Sequence, residues 1–250
     1  MVVSVKSIMD CIGVNTSGRV SVLFHLFGFF RSRVPTDPCS STAQVSLLDH
    51  IQSLQNEHIH INVIRVGIDN FTNAEIDKID SAIYQTRRIY RTVNLGIGRV
   101  EHYDITSANS NGNDDLGSEA EFEDLVQAWS VPNNALDVFM VLNISDPDFV
   151  GISPITGPCD KDEGVDGLIG GEVGRPADGV SRTFAHEIGH YLGLVHNHGD
   201  DCPNTTNECN NLMAQTRCAT SCGSGVCQAV DLSVSQGNSV RGHCFVQDGC

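Results

Sequence analysis

The sequence predicts an α+β fold, and three features support this prediction. Residues 59–143 alternate between Ile- and Val-rich stretches of strand length and stretches whose apolar residues recur at helical spacing. Residues 183–196 are typical of a helix that ends at a glycine. From residue 197 onward the chain is rich in cysteine and poor in apolar sequence, which favours an irregular, disulfide-rich C-terminal subdomain.

Length and composition indicate a folded, loop-rich protein rather than a disordered one. The 250 residues are enough for one large domain, or for such a domain with a modest extension. Apolar residues make up 40% of the chain, beside 8 prolines and 24 glycines. The net charge of −16 argues against nucleic acid or an anionic membrane surface as a partner.

The first predicted elements are a strand, a helix and a second strand. Ile59 to Ile68 alternates and is rich in Ile and Val, which predicts a strand. Thr72 is predicted to cap the helix that follows, with Glu75 three residues later as its capping-box partner. Val93 to Asp104 then returns as a strand.

Three further elements complete the predicted domain. Ala120 to Trp129 indicates a short acidic helix, and Ala135 to Asn143 is an apolar run typical of a central buried strand. Asp231 to Arg241 predicts a closing helix, with Ser233 as its N-cap and Gln236 three residues later.

The polar loop from Ala108 to Gly117 leaves a calcium (Ca2+) site open. Its Asn, Asp, Ser and Gly content is typical of calcium-binding loops. The EF-hand positions do not match, since no acidic residue stands at the first position relative to Gly112. The alternative is a solvated turn.

The ten cysteines form an even number, and eight of them lie at or after Cys159. Cys218, Cys222 and Cys227 could belong to a second zinc site, but their spacing does not match the common C-x-x-C pairs. Disulfide bonds suit such a loop-rich segment better, and the sequence leaves their connectivity open. Disulfides imply an oxidising compartment, so we expect a secreted or extracellular protein.

Residues 1–58 are predicted to be an N-terminal extension, either an extra layer on the domain or the remnant of a pro-segment. Val20 to Phe30 is too short to cross a membrane as a helix, and its composition favours a buried strand. Ala43 to Asn56 has helical spacing. Met1 to Cys11 lacks the apolar core of a signal peptide, so either the leader is missing from this chain or secretion uses another route.

The stretch from residue 186 to residue 196 has the pattern H-E-x-x-H-x-x-G-x-x-H. On a helix, His186 and His190 project from the same face, so both imidazoles can reach one metal ion. Gly193 can adopt the left-handed conformation that ends the helix, which lets His196 supply a third nitrogen. Three neutral imidazoles with one open position describe a catalytic zinc (Zn2+) site. The alternative is an amphipathic helix with ordinary surface or core histidines.

This pattern, together with Asn211-Leu212-Met213-Ala214, resembles the metzincin clan of zinc metalloproteases. In that clan a methionine in a tight turn lies beneath the zinc site, and the resemblance assigns this place to Met213. The alternative is an ordinary core methionine. The resemblance covers roughly residues 59–245. The cysteines beside Gln236 and Arg241 also resemble pappalysin-like metzincins, and the subfamily stays open.

The resemblance implies a metzincin-like catalytic domain over residues 59–250, with an upper subdomain (59–196) and a Cys-rich lower subdomain (197–250). It implies a twisted, mostly parallel sheet with an antiparallel edge strand, packed on two helices. In metzincins the strand before the zinc helix lies at the sheet edge above the cleft, which here is Asp166 to Val173. An unpaired edge can accept an extended peptide, whereas the alternative is a plain glycine-rich loop.

The activity implied by the resemblance is that of a zinc-dependent endopeptidase. Glu187 would take a proton from the zinc-bound water as it attacks a peptide carbonyl, and would pass this proton to the leaving amine. Two alternatives stay open: an inactive zinc-binding interaction protein, and a zinc hydrolase of non-peptide amides or esters. The expected partner is an extended peptide or protein substrate.

Asn197, His198 and Cys39 bear on the subfamily, the ligand set and latency. No tyrosine lies near Met213 in the sequence, so the tyrosine ligand of astacins and serralysins is not expected, and Asn197 matches none of the usual residues after the third ligand. His198 could compete with His196 as a ligand, but the Gly193 spacing favours His196. Cys39 follows a proline but departs from the cysteine-switch sequence of matrix metalloproteases, so the alternative for Cys39 is a disulfide.

Overall fold

The computed structural model of this chain describes residues 56–161, 164–198, 206–216 and 228–249. Within these ranges the strands are β1 (His58–Val66), β2 (Gly96–Ile105), β3 (Asp115–Leu116), β4 (Ala135–Val141), β5 (Asn143–Ile144) and β6 (Gly167–Glu172). The helices are α1 (Asn73–Arg91), α2 (Glu119–Trp129), α3 (Ala177–Tyr191), α4 (Thr206–Cys209) and α5 (Val234–Arg241), and a short 3-10 helix spans Ile68–Asn70.

The described strands β2, β1, β4 and β6 form one sheet in that order, and each neighbouring pair is parallel. Every residue of β4 is buried, as is every residue of β1 except Arg65. Burial on both faces explains the nearly continuous apolar sequence of these strands. The predicted order of strand, helix, strand and buried strand is therefore confirmed.

Helices cover both faces of this sheet. Alternate residues of β1 and β4, such as Val63 and Val138, pack with α1 and α3 in one core cluster. The intervening residues, such as Ile64 and Phe139, pack with α2 in a second cluster. This alternation follows from the two-residue period of a strand. The predicted packing of the sheet on two helices is confirmed by α1 and α3, which contact each other.

The strand predicted at Asp166 to Val173 lies at the edge of the described sheet, as the resemblance implied. Asp166 to Val173 contains β6, which pairs with β4 in the parallel direction. In the described residues the antiparallel pairing on the other side of β6 is one bridge, in which Ile152 and Ile169 exchange backbone hydrogen bonds of 2.8 and 3.2 Å. Prolines and glycines around Ile152 explain why no longer ladder forms there, since proline cannot donate to a ladder and glycine weakens a strand.

The segment that carries this bridge, residues 150–161, is called the strap below. It is tied to its surroundings at several points. The backbone N–H of Gly157 donates to the carbonyl of Tyr191 at 2.9 Å, and the Tyr191 hydroxyl donates to the carbonyl of Pro158 at 3.1 Å. A disulfide bond joins Cys159 to Cys244, 85 residues further along the chain.

The two predicted helix caps are confirmed in full. The Thr72 N–H donates to Glu75 Oε2 at 2.7 Å, and the Glu75 N–H donates back to the Thr72 hydroxyl at 3.3 Å. Ser233 and Gln236 form the same reciprocal pair at the start of α5, at 2.8 and 3.2 Å. Such caps bind the backbone N–H groups that a helix start leaves without intrahelical partners.

Several predictions lie outside the described residues, namely the strand at Val20–Phe30, the helix at Ala43–Asn56 apart from its last residue, and the roles of Cys39 and of Cys218, Cys222 and Cys227. Of the predicted disulfide-rich subdomain, the described part contains the Cys159–Cys244 bond. Among the described helices, none is long and apolar enough to cross a membrane.

A buried ion pair anchors the end of the strap to the sheet. Asp137 of β4 is fully buried, and its carboxylate accepts hydrogen bonds from Asn62 Nδ2 at 2.6 Å and from the Val131 N–H at 2.9 Å. Lys161 Nζ lies 2.7 Å from Asp137 Oδ1. A carboxylate in the sheet interior depends on such partners, because water cannot solvate it there.

Lys161→Met should therefore lower the free energy of unfolding by about 3 kcal/mol, because it leaves the buried Asp137 charge without its cation. Arg65→Met is the matched control, since Arg65 pairs with Asp104 at a similar 2.7 Å but with side chains 18% and 50% exposed. We expect that control to cost less than about 1 kcal/mol. Urea denaturation measures both values, and equal losses would contradict this account of Asp137.

Candidate metal centre

Helix α3 and the turn after it bring three histidines together. His186 and His190 lie on the same face of α3, and both are buried. Gly193 has a φ of 93°, the left-handed conformation predicted for it, and its N–H donates to the His190 carbonyl at 2.8 Å. The chain then turns back so that His196 reaches the other two imidazoles.

The Nε2 atoms of the three histidines converge on one point. His196 Nε2 lies 3.2 Å from His186 Nε2 and 3.0 Å from His190 Nε2. Two nitrogens bound to one zinc ion at the tetrahedral angle lie about 3.3 Å apart, so the three side chains fit such an ion. Among the described residues, this is the group of side chains that could hold a metal, and it contains His196 rather than His198.

Backbone carbonyls hold the other ring nitrogens of the two helical histidines. His186 Nδ1 lies 2.7 Å from the Leu212 carbonyl, and His190 Nδ1 lies 2.7 Å from the Leu194 carbonyl. A carbonyl can only accept, so each Nδ1 carries the proton and each Nε2 has a lone pair directed at the cluster. This is the tautomer that a metal ligand requires.

Burial keeps these imidazoles neutral. It lowers the pKa of His190 from 6.5 to about 4, and it lowers the pKa of His186 further, with a smaller contribution from the positive charge of Arg182. Both rings are therefore uncharged at neutral pH, and a metal ion has no proton to displace from them.

Glu187 lies between the two helical histidines in sequence and is also buried, with 6% of its surface exposed. The strap passes close to it, because a side chain added at Gly151 would come within 2.9 Å of Glu187 Cγ. Burial raises the pKa of the Glu187 carboxyl from 4.5 to about 8, and Arg182 opposes that shift. A carboxyl with such a pKa can both take and release a proton near neutral pH.

Met213 lies against α3 between the first two histidines. Its Sδ lies 2.6 Å from the position that a Cβ at Gly189 would occupy, so the sulfur packs where α3 has no side chain. Met213 is fully buried, and its N–H donates to Asn211 Oδ1 at 2.9 Å. The structure therefore places Met213 next to the histidine cluster, as the resemblance implied.

Some residues of the site were missed by the sequence reasoning. Gly189 and Arg182 both lie on α3, and the carbonyls of Leu212 and Leu194 hold the imidazoles. Arg182 stands one helical turn before His186, so the same i and i+4 spacing that paired the histidines could have indicated it. The backbone carbonyls carry no signal in the sequence.

The described structure gives no support to the predicted calcium site. In the loop after β2, both carboxylate oxygens of Asp114 accept hydrogen bonds from hydroxyls, those of Ser107 at 2.7 Å and Ser110 at 2.8 Å. Ser107 in turn donates its N–H to Asp69 at 2.7 Å. The acidic groups thus organise the loop itself, which corresponds to the alternative of a solvated turn.

Comparisons with known proteins give one family and one similar fold. The family model of metallo-peptidase family M12 matches residues 52–231, a range that includes the three histidines, Glu187 and Met213. No curated protein matches the chain. Among solved structures, the chain is similar to the archaemetzincin of Methanopyrus kandleri, with 13% identity, a TM-score of 0.46, and coverage of 74% of this chain and 94% of that chain.

Gly189→Ala should destabilise the protein. The added methyl would meet Met213 Sδ at 2.6 Å and the Tyr90 hydroxyl at 3.2 Å. Crowding of a packed core costs about 1–3 kcal/mol, which outweighs the roughly 1 kcal/mol that alanine gains over glycine in a helix. The control is Gly179→Ala near the start of α3, where the nearest atom lies 4.0 Å away.

Thermal denaturation of the metal-free variants, followed by circular dichroism, checks this prediction. Gly179→Ala should leave Tm unchanged or raise it, whereas Gly189→Ala should lower it. A rise in Tm for Gly189→Ala would show that Met213 can move away at no cost.

The metal-free protein should also show a pH dependence that Glu187 causes. Because the folded-state pKa of Glu187 is raised from 4.5 to about 8, the unfolded chain loses this proton first, and stability falls as pH rises between those values. Glu187→Gln removes this loss. The variant should therefore gain stability relative to wild type over that range, by on the order of 4 kcal/mol at pH 8. Urea denaturation of both proteins at pH 5 and pH 8 measures it, and a pH-independent difference would contradict it.

Proposed function

The chain belongs to metallo-peptidase family M12, and from this premise we propose that it is a zinc-dependent endopeptidase. We assign zinc binding to His186, His190 and His196. We assign the role of general base to Glu187. The observation that carries the proposal is the convergence of three Nε2 atoms, two of which belong to rings whose Nδ1 atoms are held by backbone carbonyls.

The chemistry divides between the metal and the chain. Bound zinc supplies a Lewis acid that polarises the peptide carbonyl and makes water more acidic. The Glu187 carboxylate takes the proton of the attacking water and gives it to the amine that leaves. Glu187 directly follows His186 on α3 and is buried, so its carboxylate is available beside the metal ligands for both transfers. Three imidazole ligands leave one position open for the reaction.

Gly193 and Met213 support the site without taking part in the reaction. The left-handed turn at Gly193 directs the chain so that His196 reaches the cluster. Met213 fills the space beneath α3 at Gly189, which keeps the turn that carries Leu212 against His186. Both roles follow from packing and backbone geometry rather than from chemistry at the metal.

We place the substrate along the strap rather than along Asp166 to Val173. The outer side of β6 is paired with Ile152, so the next edge outward belongs to the strap. The strap passes Glu187 at Gly151, and its Ile155 is 53% exposed. An extended peptide bound to this edge by main-chain hydrogen bonds would therefore pass the general base.

We also propose that residues 59–250 form the catalytic unit and that the protein is secreted. In support of the first point, His58, which directly precedes that unit, exchanges backbone hydrogen bonds of 2.8 and 2.9 Å with Gln247, so the start of β1 is joined to the C-terminal part of the chain. In support of the second, the disulfide between Cys159 and Cys244 requires an oxidising compartment to form and persist.

Zinc content and cleavage of a mixed peptide library, measured on wild type and Glu187→Ala, test the proposal. Wild type should bind one zinc ion per chain and cleave peptides, and a chelator should abolish cleavage. Glu187→Ala should keep the zinc and lose kcat/KM by about 10²- to 10⁴-fold, because the general base is gone. Glu123→Ala, an exposed carboxylate on α2, is the control and should retain full activity.

The other outcomes identify the rival functions. Zinc binding with cleavage of amide or ester substrates but of no peptide would show a non-peptide hydrolase. Zinc binding without any hydrolysis would show an interaction protein. Cleavage unaffected by Glu187→Ala would contradict the role of Glu187.

A further inference from the structure

Arg182 is the buried arginine of α3, and we propose that it is a positioning residue for the metal centre. Its guanidinium holds the Ala214 carbonyl and thereby fixes the turn whose Leu212 carbonyl orients the ring of His186. This inference rests on the proposed function, since it concerns the same histidines.

The placement of Arg182 supports this role. It lies four residues before His186, so both side chains leave the same face of α3. Its side chain is buried, and Nη2 donates to the Ala214 carbonyl. Burial of a guanidinium raises the free energy of the folded state unless the group is paired or hydrogen-bonded. The hydrogen bond to the Ala214 carbonyl therefore offsets part of the desolvation cost of Arg182.

The turn that Arg182 holds has three successive carbonyls, and each accepts a hydrogen bond from a residue in or next to the metal centre. The Leu212 carbonyl accepts from His186 Nδ1 at 2.7 Å. The Met213 carbonyl accepts from the N–H of Asn197, the residue after His196, at 3.1 Å. The Ala214 carbonyl accepts from Arg182. Two of these donors belong to α3, and the third is adjacent to His196, so a shift of the turn would disturb two of the three histidines.

The opposite side of the turn is held by neutral groups. Asn211 Nδ2 donates to Gln236 Oε1 at 2.8 Å, and Gln236 Nε2 donates back to Asn211 Oδ1 at 3.0 Å. The same Asn211 oxygen accepts from the Met213 N–H at 2.9 Å. The turn is thus fixed to α5 on one side, and Arg182 and His186 fix it to α3 on the other.

The charge of Arg182 and its hydrogen bond to Ala214 should have opposite effects on zinc affinity. A guanidinium stays positive at all physiological pH values, so it repels a zinc ion bound one helical turn away. If Arg182 acted only through its charge, its removal would tighten zinc binding. If it positions the turn, its removal loosens zinc binding. The sign of the change in affinity therefore distinguishes the two roles.

Chelator competition on the full chain gives the zinc dissociation constant without any need for activity. Arg182→Met should weaken zinc binding by about 10- to 100-fold, the range found when a group that orients a metal ligand is lost. Arg182→Lys should recover part of this loss, because an ammonium group can still donate to a carbonyl although it lacks the guanidinium geometry.

Arg241→Met is the matched control. Arg241 also donates to a distant backbone carbonyl, that of Val93, but it lies on α5, and its other partners among the described residues are Asn238 and Glu57. The zinc affinity of this variant should stay within about twofold of wild type, since no ligand of the metal depends on it. Circular dichroism and Tm of every variant show whether the fold is kept.

The tautomer of His186 provides a second measurement. In the metal-free wild type, long-range proton–nitrogen NMR spectra should show the proton of His186 on Nδ1, where the Leu212 carbonyl accepts it. In Arg182→Met the same spectra should show a mixture of tautomers. If Arg182→Met does not fold, Arg182→Lys decides the matter with the same two measurements.

Unchanged or tighter zinc binding in the folded variant would overturn the positioning role, and so would a loss no larger than that of Arg241→Met. These outcomes leave the proposed function intact as long as wild type binds zinc and cleaves peptides. A wild type that binds no zinc would overturn both.

Discussion

The hydrogen bond between His186 Nδ1 and the Leu212 carbonyl is the contact on which the metal centre depends. It spans 2.7 Å and joins α3, which packs on the sheet, to a turn from the C-terminal part of the chain. Because the carbonyl fixes the ring tautomer, it also decides which nitrogen faces the cluster. Met213 packs against Gly189, which keeps the turn close enough to α3 for this bond to form. The histidine pattern of α3 is thus necessary for the site, but one of its rings is oriented by residues outside the pattern.

The site also holds several buried ionisable groups close together. Burial lowers the pKa of His186 and His190 and raises that of Glu187, so the metal-free fold disfavours the charged forms of these three side chains. A divalent cation reverses this balance, since it attracts the carboxylate and the imidazole lone pairs alike. Metal binding and folding are therefore coupled through the same residues, and stability and activity should respond together when the metal is removed.

Local rules account for what could be predicted from the sequence. The Thr72 and Ser233 caps, the strands β1 and β4, and the histidine cluster all follow from spacings of two to ten residues along the chain. The contacts that were missed join distant segments. Lys161 pairs with Asp137, and Arg182 reaches Ala214, through contacts that no periodicity encodes. The edge position of β6 was predicted from the resemblance, whereas its pairing with Ile152 was not, because the prolines and glycines of the strap give no strand pattern.

The strap connects the C-terminal residues to the edge of the sheet. In a sheet, an edge strand is normally held by a ladder of hydrogen bonds. Here the single bridge at Ile152 is supplemented by the Cys159–Cys244 disulfide and by the contact of His243 Nε2 with the Gly157 carbonyl at 3.1 Å. The segment after α5 thus holds the strap, while Met213 packs against α3 at Gly189. Both the strap and the ring of His186 are therefore held by residues beyond 210, so the sheet with α3 alone would lack these contacts.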